Sequence, residues 1–143
     1  MPALRSVVVR RTVAGPRARV FEAWCRPELM AKWFFPAPGW RAEISADLRV
    51  GGRYQIAMRD PAGGLHVQEG VYRTIQPVSR LVFTWSCVEL GVADSLVTVE
   101  LADHGPQTEI VLSHELPDEP TILREHEGGW NGCLDSLVRY LET

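Results

Sequence analysis

The stretch EPTILREHEGGWNGCLDSLVRYL, residues 119–141, reads as one long amphipathic helix. At 3.6 residues per turn, Ile122, Leu123, Trp130, Cys133, Leu134, Leu137, Val138 and Leu141 share one broad arc, and Arg124, Glu125, Asp135 and Arg139 lie opposite. Asp118 is expected as the N-cap, with Glu119 and Pro120 in the first turn. From Glu119 to Leu141 such a helix runs on the order of 35 Å, enough to cross a whole sheet.

Upstream of it the chain alternates. Val7, Val9 and Val13 recur at even spacing in a strand that Gly15-Pro16 ends. Pro16 suits a helix start, and Val20, Phe21 and Trp24 then make one apolar stripe. Pro27 disfavours helical geometry at Arg26 and opens a second short helix carrying Leu29, Met30 and Trp33 inward. Pro36, Pro38 and Gly39 mark a loop. Trp40, Ala42, Ile44 and Ala46 alternate in strand two, Gly51-Gly52 reads as a two-residue hairpin turn, and Tyr54, Ile56 and Met58 alternate in strand three. Strands follow over His66 to Ile75, around Leu81, Phe83 and Trp85, around Val97, Val99 and Leu101, and over Thr108, Ile110, Leu112 and His114. With mostly tight turns and no crossover helices, about seven strands make an antiparallel meander.

The element list implies a shape. Seven strands at about 4.8 Å spacing span roughly 30 Å, whereas a helix with its side chains covers about 10–12 Å. The sheet must therefore curl around the helix, with the two short helices closing one end. Such a grip tends to leave space inside. Residue types alone are compatible with a packed core or with a ligand there.

The chain has 143 residues, close to the usual size of one domain, so residues 1–143 are expected to form a single one. Fifteen Lys and Arg against eighteen Asp and Glu leave a net charge of −3, which offers no bulk attraction for nucleic acid or anionic lipid. Arginines interrupt the apolar residues of the amino terminus before a signal-peptide core forms, and no apolar run is long enough for a membrane helix. Cys25, Cys87 and Cys133 are odd in number and widely spaced, which fits a reducing cytoplasm rather than a disulfide framework.

The assembled pattern resembles the activator of Hsp90 ATPase homologue type of domain within the START-like (SRPBCC) superfamily, whose fold is the helix-grip. Residues 20–24 (VFEAW), 26–30 (RPELM) with Trp33, and 47–54 (DLRVGGRY) match its early signatures; residues 80–85 (RLVFTW) and 126–130 (HEGGW) with Leu134-Asp135-Ser136-Leu137 match the later ones. The resemblance runs from about Val7 to Leu141. It implies an α+β fold, a curved antiparallel sheet around a long C-terminal helix, with a hydrophobic cavity between them. Relatives of this type include lipid and polyketide binders, cyclases and a co-chaperone domain, so no single activity follows from the fold.

The expected function is binding of a small hydrophobic molecule, aromatic or polycyclic, by a wall of Trp33, Tyr54, Met58, Trp85, His114, His126 and Trp130. Two alternatives stay open: a cyclase- or hydrolase-like enzyme in which His126, Glu127 or His114 moves a proton, and a chaperone-regulating interaction module. His126 and Glu127 lie about 40° and about 60° to either side of Trp130, so both are expected to point inward. His114 shares parity with Ile110 and Leu112. No two of His66, His114 and His126 have the close spacing of a recognised metal site, so no metal or other cofactor is expected. Cys133 reads as a small inward hydrophobe. Gly128, Gly129 and Gly132 each cost about 1 kcal/mol of helix propensity. Gly129 would admit a ligand or a strand at the edge of the arc, whereas Gly128 and Gly132 on the outer face would let a second copy approach to form a homodimer.

Overall fold

The computed structural model describes residues 3–143, so Met1 and Pro2 of the expected domain lie outside it. Seven strands form one antiparallel sheet: β1 (Leu4–Ala14), β2 (Arg41–Ala46), β3 (Arg53–Arg59), β4 (Leu65–Gln76), β5 (Arg80–Cys87), β6 (Val92–His104) and β7 (Gln107–Pro117). Their spatial order is β1-β7-β6-β5-β4-β3-β2. Helices α1 (Arg17–Cys25) and α2 (Pro27–Met30) follow β1, and α3 (Pro120–Leu141) closes the chain. This is the α+β helix-grip architecture.

Alternation explains which face each strand buries. Val7, Val9 and Val13 of β1, Tyr54, Ile56 and Met58 of β3, and Ile110, Leu112 and His114 of β7 are all buried, with exposed or half-buried residues between them. In β6 a bulge interrupts the register near Asp94, whose φ is 51°. Ser86 Oγ accepts the Asp94 amide at 2.9 Å, and beyond the bulge Ser95 and Val97 both turn inward. A 3₁₀ turn at Val88–Leu90 joins β5 to β6.

Two local expectations change. The β2–β3 connection is longer than two residues: Asp47 N bonds Arg53 O at 2.9 Å, Gly52 N bonds Arg49 O at 2.8 Å, and Gly51 takes φ 84°, so the chain loops from Asp47 to Gly52. The helix cap is Glu119, not Asp118. Pro120 keeps Glu119 extended, and its carboxylate accepts the amides of Thr121 at 3.2 Å and Ile122 at 2.9 Å.

Helix α3 rests mainly on β1 and β7, α1 on β6 and β7, and α2 on β2. Arg11 on β1 ties down the helix by donating to Asp135 Oδ1 at 3.0 Å and Asn131 Oδ1 at 2.9 Å. The middle of the grip is filled by Trp24, Trp33 and Phe34, whose rings lie 4.8–6.1 Å apart. The inner face of β3–β5 near Met58, Gln68 and Cys87 is left without a helix over it.

Candidate functional site

That uncovered face borders a recess in two parts. The inner chamber, about 110 Å³, is lined by Phe34, Pro36, Met58, Gln68, Trp85, Cys87, Leu90, His126, Gly129, Trp130 and Cys133, with Glu125 also on its wall. An outer vestibule of about 540 Å³ shares Pro36, Met58, Gln68, Leu90 and Gly129 and adds Trp40, His66, Glu89, Arg124 and Gly128. The void arises because α3 lies toward the β1 side while the 34–40 segment bridges only part of the remaining width.

Two glycines shape it. A Cβ on Gly129 would meet nothing within 4 Å, so its missing side chain leaves open space on the chamber wall. At Gly132 a Cβ would sit 2.0 Å from the Pro36 carbonyl oxygen. Gly132 thus seats the 34–40 segment on α3, and the expectation that it faces a second copy is corrected by this contact.

Behind the chamber runs a closed hydrogen-bond chain. Trp130 Nε1 donates to His114 Nδ1 at 3.0 Å, so His114 carries its proton on Nε2 and donates to Ser95 Oγ at 2.7 Å. Ser95 in turn donates to the Trp85 carbonyl at 2.7 Å. Burial, helped by nearby His126, pushes the His114 pKa down to about 3. His114 is therefore a neutral strut that fixes Trp130 against the Trp85 strand. Trp85 and Trp130 stand 4.9 Å apart as adjoining chamber walls.

His126 differs. Its Nδ1 lies 2.8 Å from the Ile122 carbonyl, which only accepts, so the proton is on Nδ1 and the lone pair on Nε2. That Nε2 is buried with no partner among the described residues, as are Trp85 Nε1 and Gln68 Oε1. Burial shifts the His126 pKa below its ordinary value. The Gln68 amide nitrogen has only the Cys87 sulfur, at 3.8 Å. Three orphan polar atoms thus belong to residues of one apolar chamber.

At the vestibule rim His66 sits between Asp60 Oδ2 at 2.8 Å and Glu89 Oε2 at 3.0 Å, with its ring 5.0 Å from that of Trp40. The bond to Asp60, with further help from Glu89, raises the His66 pKa. Among the described residues no three His, Cys, Asp or Glu side chains converge as metal ligands.

Of the seven expected wall residues, the structure brings Met58, Trp85, His126 and Trp130 together on the chamber. It puts Trp33, Tyr54 and His114 elsewhere. Trp33 is sealed between α1 and α2, donating from Nε1 to Ala23 O at 2.9 Å. Tyr54 packs its ring 5.5 Å from both Tyr72 and Phe83 and donates its hydroxyl to Thr84 O. His114 is one layer deeper than the wall. All three do point inward, but inward at those positions means into packed core. Glu127 is exposed, against the expectation that it shares His126's direction, and borders only a shallow surface hollow with Arg5 and Asn131. At this turn the protein-facing arc of α3 takes in His126 and stops short of Glu127.

Gln68, Phe34, Pro36, Leu90 and Cys87 were not anticipated. The signal for Gln68 was present: it shares parity with His66 and Tyr72 on β4 and pairs with Ile56 and Cys87 on the flanking strands. Phe34 and Pro36 sit in a loop, where no periodicity tells direction. A polar hollow of about 330 Å³ elsewhere, bordered by Tyr54 and Thr84 together with Ser45, Arg53, Gln55, Glu69 and Asp94, opens between charged side chains and holds no buried orphan among the described residues.

A curved antiparallel sheet gripping one long helix, with an apolar recess between them, defines the helix-grip class of domains. Within that class the chain belongs to the Activator of Hsp90 ATPase homolog 1-like protein family, whose pattern it matches over residues 14–142. It is similar to protein CV1439 from Chromobacterium violaceum, with 26% identity, a TM-score of 0.83, and 96% of this chain and 97% of that chain covered. CalU16 from Micromonospora echinospora is 26% identical with a TM-score of 0.75, over 99% of this chain and 85% of that one. DynU16, a protein of the dynemicin biosynthetic locus, is 27% identical with a TM-score of 0.78, over 96% of this chain and 47% of that one. Comparison with curated proteins gave no match.

Proposed function

We propose that this protein binds a small hydrophobic molecule, aromatic or polycyclic, in the recess between α3 and β3–β5. The observation that carries the reading is the apolar chamber walled by Trp85 and Trp130, on whose helix side Gly129 leaves open space. An apolar concavity with a few aimed polar groups is the usual form of a small-molecule site. The fold also occurs in DynU16, which belongs to the dynemicin biosynthetic locus. Three free, buried cysteines agree with work in a reducing cytoplasm.

Native mass spectrometry of the purified chain, joined to fluorescence titration with a panel of aromatic compounds, tests this. Because two tryptophans line the chamber, a bound ring should quench emission and raise the melting temperature. No retained mass, no quenching and no thermal shift across the panel would remove the proposal.

A second reading is favoured by one atom. The lone pair on His126 Nε2 is a buried base without a partner on a chamber-lining residue, so His126 would be the proton acceptor if a bound molecule were also converted. Turnover that survives His126→Gln would dismiss it.

A further inference from the structure

The orphan atoms on the chamber wall specify more than greasiness. Their residues are about nineteen-twentieths buried: Gln68 is 6% exposed, Trp85 6% and His126 5%. Buried donors and acceptors are nearly always paired, so an atom that no protein group meets marks a place where another molecule's polar group is favoured. One layer behind the wall the polar groups are satisfied, as the chain from Trp130 through His114 and Ser95 shows. Among the described residues four such side-chain atoms are left open: three belong to residues that line the chamber, Gln68, Trp85 and His126, and the fourth, Trp24 Nε1, lies in the packed core.

The two fixed orphans have opposite character. Trp85 Nε1 can only donate, and His126 Nε2, with the proton held on Nδ1 by Ile122 O, can only accept. A ligand carbonyl or ether would satisfy Trp85 and leave His126 open. An ammonium would satisfy His126 and leave Trp85 open. A carboxylate would bring a charge beside Glu125, with no cationic side chain on the chamber wall to meet it. A hydroxyl can donate and accept through one oxygen, and the Trp85 and His126 rings stand edge to face with their centres 6.5 Å apart, a gap that one oxygen spans. The chamber is on the order of the roughly 150 Å³ apolar cavity known to take up benzene, so the oxygen must arrive on about one ring. Gln68, whose amide can present either end, is then free to meet a second substituent.

We infer that the molecule taken up carries a neutral hydroxyl on the ring that enters the chamber, donating to His126 Nε2 and accepting from Trp85 Nε1. The inference rests on the binding proposal above and names its ligand class: hydroxylated aromatics, in preference to bare hydrocarbons and to aromatic acids.

The test compares 2-naphthol, naphthalene and 2-naphthoate by isothermal titration calorimetry on the full chain at neutral pH. 2-Naphthol should bind at least about tenfold more tightly than either of the others, since one hydroxyl relieves two buried orphans. Trp85→Phe and His126→Phe should each bring the naphthol-to-naphthalene ratio toward one. The ratio is read within each variant, so a general loss of stability does not imitate the effect. Equal affinities for naphthol and naphthalene in the natural chain, or a ratio unmoved in both variants, overturn the hydroxyl assignment while leaving the pocket standing. Failure of all three compounds to bind overturns the pocket reading and this inference with it.

Discussion

Two alanine substitutions three residues apart on α3 separate the seating of the 34–40 segment from ordinary helix propensity. At Gly129 an added Cβ meets nothing within 4 Å, so Gly129→Ala should gain the full helix advantage of about 1 kcal/mol. At Gly132 the same Cβ would lie 2.0 Å from Pro36 O and 2.9 Å from Pro36 C, where backbone rather than a flexible side chain must retreat. That retreat also disturbs Phe34, whose ring is packed against Trp24, Trp33, Trp85 and Trp130. Overpacking of this kind costs about 3 kcal/mol at the upper end of its range. Because the helix gain is common to both variants, their difference isolates the clash. Urea unfolding should place Gly132→Ala about 3 kcal/mol below Gly129→Ala, or on the order of 10 °C in melting temperature for a chain of this size. If both variants shift in the same direction by similar amounts, Gly132 does not seat the segment and the account of the chamber's roof is wrong.

Gly129→Leu should weaken aromatic binding by about tenfold or more while the chain stays folded, because the new side chain occupies the open wall; unchanged affinity by fluorescence titration would count against the recess. His114→Ala should destabilise by about 2–4 kcal/mol, since it opens a cavity, orphans Trp130 Nε1 and takes from Ser95 Oγ the donor it accepts from, and equilibrium denaturation checks this. Acid should act through the same residue. With its folded pKa depressed to about 3 from an ordinary 6.5, the unfolded chain binds the proton first, so its contribution is whole above pH 6.5 and drains as pH falls toward 3. The loss is about 2 kcal/mol by pH 5, partly offset by His66, whose raised pKa has the opposite sign, and pH-dependent urea melts should show a flatter profile in the His114 variant. Glu119→Ala removes the cap that holds the Thr121 and Ile122 amides and should cost about 1 kcal/mol, measurable by thermal denaturation; the same loss in Asp118→Ala instead would reinstate Asp118 as the cap.

Strand and helix order were legible in the residues because their causes are local. Alternation at Tyr54, Ile56 and Met58, the 3.6-residue recurrence along residues 122–141, and the proline stops at Pro16 and Pro27 each act over a few positions. Sheet curvature also followed, from the mismatch between the width of seven strands and that of one helix. Parity told which side chains face inward but not how far the helix reaches over them. Trp33, Tyr54 and His114 face inward into solid packing, whereas Met58, Trp85, His126 and Trp130 face inward onto a void. That division belongs to the placement of α3 toward β1 and to the seat of Pro36 on Gly132, contacts between residues nearly a hundred positions apart. The tautomers of His114 and His126, one satisfied on both nitrogens and the other left with an open lone pair, are likewise set by partners that only the folded chain brings within reach.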